Sequence, residues 1–63
     1  MEFAIKMKML REKLNLSQEM LARALSVSFA TINRLETGKT LPSYNTVKKF
    51  EKLCKENDIK FEE

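Results

Sequence analysis

Between Phe29 and Glu36, Asn33 and Arg34 lie side by side, with the small residue Ala30 about one helical turn earlier. A guanidinium is a planar fork of donors. It can give two hydrogen bonds to one flat acceptor edge, such as O6 and N7 of guanine, which is worth about 1–3 kcal/mol of discrimination. An asparagine amide combines a donor and an acceptor, which suits an adenine edge. Elsewhere the chain is poor in reactive groups. It has no histidine, so the commonest general base is absent. Its one cysteine, Cys54, cannot form an internal disulfide, and no ligand cluster suggests zinc. We expect no catalytic residue, no metal and no cofactor. A chain of 63 residues makes one domain at most and leaves no room for an enzyme with a deep cleft.

Helices must position Asn33 and Arg34. Gly and Pro occur once each, while Leu, Lys, Glu, Met and Ala are frequent, which points to an all-α bundle. In the first segment Phe3, Ile5, Met7 and Met9 alternate with Ala4, Lys6 and Lys8, a strand-like pattern. Met7, Leu10 and Leu14 also fall within about 40° of Phe3 at 100° per residue. Only the helical pattern carries order through to Leu14, so we expect a helix over residues 2–14.

Asn15, Leu16 and Ser17 end that helix and start a second over 18–25, with Leu21, Ala22 and Leu25 turned inward and Ser17 as its N-cap. Ser26, Val27 and Ser28 make a tight turn. Ser28 caps a third helix over 29–36, and Gly38 sits where a left-handed C-terminal residue belongs. Pro42 ends the next loop, and a fourth helix is expected over 43–56, with Ser43 as its cap. Val47, Phe50, Leu53 and Cys54 form its inward stripe, and Cys54 is expected to serve packing rather than redox chemistry. The fold class is thus a compact bundle of about four helices in a single domain, 1–63, with a short tail over 57–63.

Two short helices separated by three residues have the proportions of a helix-turn-helix. The set Leu16-Ser17-Gln18-Glu19-Met20-Leu21-Ala22, Val27-Ser28, Ile32, Leu35-Glu36, Gly38-Lys39 and Pro42-Ser43 resembles the Cro/CI-type (XRE-type) helix-turn-helix family of phage repressors and bacterial regulators. The resemblance spans roughly residues 3 to 55. It implies a repressor-like transcriptional regulator that binds double-stranded DNA sequence-specifically, with its third helix in the major groove. It also implies pseudo-palindromic sites bound by dimers, so a homodimer is one expected assembly.

The residues agree with that implication. Ile32 and Leu35 point one way, with Glu36 near them, and Ala30, Asn33, Arg34 and Thr37 occupy the opposite arc. A helix with a dry inner face and short hydrogen-bonding side chains outside fits the major groove. The candidates for reading bases are Ser28, Phe29, Ala30, Asn33 and Arg34. The bland alternative for Arg34 is a solvated side chain or a phosphate contact, and Asn33 suits adenine or a phosphate equally. Phe29 stands where the family often has a polar base-contacting residue. Its ring has two readings: against a thymine methyl, or folded back onto the second helix, since it lies only about 60° from Ile32.

Phosphate contacts are expected from Gln18, beside exposed amides at a helix start, and from Lys39 and Thr40, which look similar to the family's backbone-clamping residues. Ser43 is a third candidate, and Thr31 lies on the flank. For Lys39 the alternative is a solvated loop lysine. Such contacts fix register but carry little sequence information. The resemblance further implies a partly buried salt bridge between Arg11 and Glu36, tying the first helix to the end of the third.

The net charge of +3 is a mild bias towards polyanions. The longest apolar run is too short to cross a bilayer and no signal peptide fits, so the expected location is the cytoplasm, with no membrane partner. No effector domain follows the fourth helix, so no small-molecule ligand is expected. A second function class is a protein-interaction or antitoxin-like module that keeps the fold; an apolar outer face on the third helix would favour it. Ile5 and Met9 lie roughly opposite the Phe3–Leu14 stripe, and Ile59 and Phe61 in the tail also lack an obvious partner. We expect tail and first helix to cover each other, within one chain or across a dimer.

Overall fold

Three serines start three of the four helices. The N–H groups of Met20, Thr31 and Thr46 donate to the hydroxyls of Ser17, Ser28 and Ser43, each satisfying one amide that has no partner inside its helix. A computed structural model describes residues 2–61; of the expected tail, Glu62 and Glu63 lie outside the described residues, as does Met1. The elements are α1 (Phe3–Lys13), α2 (Gln18–Leu25), α3 (Phe29–Glu36) and α4 (Tyr44–Glu56), with no strand among the described residues. The ambiguous first segment is helical. Glu2 and Leu14 flank α1 rather than belonging to it, and Ser43 precedes α4 as its cap rather than opening it.

All four helices end alike. Asn15, Ser26, Gly38 and Asp58 take left-handed backbone angles, with φ of 57°, 56°, 76° and 54°. The following N–H then reaches back five residues: Leu16 to Arg11, Val27 to Ala22, Lys39 to Arg34 and Ile59 to Cys54. This is a Schellman closure, in which the residue after the left-handed one usually makes an apolar contact. Leu16, Val27 and Ile59 do so, each packing against the core. The fourth position is Lys39, which is exposed.

The core consists of Met7, Leu10, Leu21, Ala22, Leu25, Ile32, Leu35, Phe50 and Cys54. It draws on all four helices, so none can bury its apolar stripe alone. In the expected inward stripe of α4, Phe50 and Cys54 are buried and Leu53 is partly buried against the core. Val47 is only half-buried, and Thr46 takes the buried place. Thr46 is tolerated inside because Ser43 Oγ donates to its hydroxyl.

The tail packs on its own chain. Phe61 stacks on Phe50 with ring centroids 6.0 Å apart, and Phe50 meets Phe3 of α1 at 4.9 Å. Ile5 stays about half exposed. It shares a separate shallow depression with Met9, which no tail residue lines.

Candidate nucleic-acid interface

Residues of α3 divide into a held face and an open face. Ile32 and Leu35 are buried against the core. Glu36, at the last turn, is held by three donors. Arg11 Nε and Nη2 reach its two carboxylate oxygens at 2.7 and 3.0 Å, and Gln18 Nε2 donates at 3.1 Å. Arg11 Nη1 also donates to the Leu16 carbonyl at 3.2 Å. One carboxylate thus joins α1, the α1–α2 turn, the start of α2 and the end of α3. The bidentate fork sets the angle as well as the distance. The hydrogen bond to Glu36 raises the Arg11 pKa, with burial opposing it, so the guanidinium stays charged.

Phe29, Ala30, Asn33, Arg34 and Thr37 are exposed on the other face. Their polar groups are not equally available. Ser28 Oγ accepts from the Thr31 N–H and also bonds the Thr31 hydroxyl at 2.9 Å. Thr37 Oγ1 is turned back to the Asn33 and Arg34 carbonyls. Asn33 Nδ2 leans on Gln18 Oε1 at 3.5 Å, a long and weak contact. The Arg34 side chain makes no hydrogen bond or ion pair among the described residues. Its guanidinium is the strongest uncommitted donor on the open face. Phe29 is 51% exposed and is not among the apolar residues packed on the core, so its ring is not folded into the interior.

Around this face lie the residues expected to grip a backbone. Thr31, Arg34, Thr40 and Ser43 line one shallow depression of about 210 Å³, together with Leu35, Leu41, Pro42 and Thr46. The fold therefore brings together four candidates from two separate stretches of sequence. Ser43 is the most committed of them, since its hydroxyl both accepts from the Thr46 amide and donates to the Thr46 side chain. Lys39 and Thr40 are exposed just beyond the end of α3. Gln18 departs from the simple expectation. Its side chain serves Glu36 and Asn33, and in the first turn of α2 the Met20 amide is taken by Ser17, so the amides of Gln18 and Glu19 are the ones without a helical partner. Glu19 in the same turn opposes an anion there.

Sequence reasoning missed two features. One is the Gln18 contribution to the Arg11–Glu36 pair, which only tertiary proximity reveals. The other is the exposure of Leu41 and Tyr44, at 89% and 74%. The Lys48 ammonium sits 5.3 Å from the Tyr44 ring centroid, a cation–π contact at the surface. Among the described residues there is no cluster of potential metal ligands and no helix long and apolar enough to cross a membrane.

The two short, nearly successive helices, with the second holding an open polar face outward, define a helix-turn-helix domain. The model of the helix-turn-helix family matches residues 7–58, most of the chain, and the protein belongs to that family, the Cro/CI (XRE) type of DNA-binding regulators. Neither a curated protein nor a solved structure matches the chain.

Proposed function

We propose that this protein is a small repressor-like transcriptional regulator that binds double-stranded DNA sequence-specifically by laying α3 in the major groove. One observation carries the reading. The inner face of α3 is locked by Ile32, Leu35 and the Glu36 network, while Arg34 stands on the outer face with its guanidinium unengaged. Arg34 reads a guanine edge, Asn33 reads adenine or holds a phosphate, and Ala30 lets the backbone approach. Lys39, Thr40, the first amides of α2 and the rim at Thr31 and Ser43 hold phosphates and set register. Regulation then follows from occupying a site that other proteins need. No bond is made or broken, and the protein acts in the cytoplasm where the DNA is. Two copies on half-sites about one helical turn apart give the symmetric arrangement usual for such domains.

A mobility shift against a random duplex pool, followed by binding of the recovered sequence over a salt series, tests this. If each domain neutralises about four phosphates, the log–log slope is about −4 per domain. Absent or salt-insensitive binding overturns the reading.

The second reading, a protein-interaction or antitoxin-like module, draws on the half-exposed Phe29 and Met20. Salt-insensitive binding to a protein partner, with no duplex binding, would favour it.

A further inference from the structure

The first turn of α3 offers apolar surface where a reading helix enters the groove. Helix-turn-helix proteins contact base edges chiefly with the N-terminal residues of this helix. Here the two hydroxyls of that turn face each other, since Ser28 Oγ bonds both the Thr31 amide and the Thr31 hydroxyl, and one O–H of the pair is left to donate outward. Phe29 and Ala30 are the exposed apolar residues of that turn, beside the exposed Ser28. A purine edge or a cytosine amino group set against them would lose its partners. Only thymine presents an apolar group in the major groove, its C5-methyl. Arg34 lies one turn from Ala30 on the same side, about 6 Å along the axis at 1.5 Å per residue. Two base steps of about 3.4 Å cover that distance.

We propose that the half-site contains a thymine whose methyl group packs on Phe29 and Ala30, within two base steps of a guanine held by Arg34. This rests on the DNA-binding reading above and names what the site selects. Phe29 is then a specificity residue that acts by contact with a methyl group.

The test uses the duplex recovered from the random pool. Each thymine is replaced in turn by uracil, which pairs identically and lacks only the methyl. One thymine in a half-site should be sensitive, with about fourfold weaker binding, the equivalent of about 0.8 kcal/mol for one buried methyl. Phe29→Ser should narrow the thymine–uracil difference, Ala30 keeping part of the contact, while Arg34→Ala should relax the guanine choice and keep that difference in full. Circular dichroism shows whether each variant is folded. If Phe29→Ser binds too weakly to measure, the uracil scan of the unaltered protein decides alone. Tight duplex binding with no uracil-sensitive thymine overturns the proposal and leaves the DNA reading standing, as does a difference undiminished in Phe29→Ser. Absence of any duplex binding overturns both.

Discussion

Arg11 and Glu36, 25 positions apart, meet as a bidentate pair at 2.7 and 3.0 Å, and the two are unequally buried. The Glu36 side chain is 4% exposed and that of Arg11 is 19% exposed. That inequality decides which partner is costlier to lose. Arg11→Met leaves a buried carboxylate with only the Gln18 amide and should cost about 3 kcal/mol. Glu36→Gln leaves a guanidinium that still reaches solvent and the Leu16 carbonyl, and should cost about 1–2 kcal/mol. Urea unfolding of the two variants checks the order, and Glu36→Gln proving the worse would refute the argument.

Arg34 and Lys39 flank the end of the same helix but should fail differently. Arg34→Ala should weaken binding to the preferred duplex by about 1–3 kcal/mol and relax the choice at one base pair. Lys39→Ala should weaken all duplexes alike and reduce the salt slope by about 1. Fluorescence anisotropy on matched and mismatched duplexes at several salt concentrations separates the two. A base-selective effect at Lys39 would reverse the assignment.

The tail should matter to stability. Truncation after Asn57 removes Ile59 and Phe61, both partly buried, and uncovers Phe50. At about 1–1.5 kcal/mol for each such side chain, the loss is about 2–3 kcal/mol. For a domain this small that lowers Tm by about 15–20 °C. Phe61→Ala is the milder test, at about 1 kcal/mol. Thermal unfolding measures both, and sedimentation of the full chain should show no association that depends on residues 58–61. An unchanged Tm on truncation would mean that these contacts do not hold in solution.

Cys54 should make stability fall in alkali. Burial pushes its thiol above the ordinary value of 9.0, Glu51 adds to this, and Lys6 opposes it. The unfolded chain therefore loses the proton first. The contribution of the thiol is complete below the unfolded value and is lost as pH rises through the folded one. The stability difference between the unaltered protein and Cys54→Ala should be flat up to about pH 8 and shrink above pH 9 by at most about 1.4 kcal/mol per pH unit. Urea midpoints from pH 7 to 10.5 measure it. A constant difference would show that the thiol titrates alike in both states.

Much of the architecture was legible in the residues because its signals are local. Serine before an apolar-periodic run starts a helix through its own hydroxyl, and Ser17, Ser28 and Ser43 all do so. Gly38 marks a helix end, as its positive φ confirms. The same closure at Asn15, Ser26 and Asp58 was harder to see, since these residues adopt left-handed angles less readily than glycine. Lys39 was expected from the family resemblance; that it occupies the place where the other three helices put Leu16, Val27 and Ile59 is visible only in the folded closures.

By itself, then, the sequence determined the four helices, the inward residues of α2 and α3, and the outward placing of Ala30, Asn33 and Arg34, because caps and a 3.6-residue period act within a few positions. Only the tertiary structure decided which of the outward polar groups remain uncommitted. The Gln18 side chain is drawn to Glu36, the Ser28 and Thr31 hydroxyls bond each other, and the Arg34 guanidinium is left without a partner among the described residues. It also decided where Phe29 and the tail go. Those outcomes depend on distances between helices far apart in sequence, where packing and competition for hydrogen bonds choose among side chains that the local pattern treats alike.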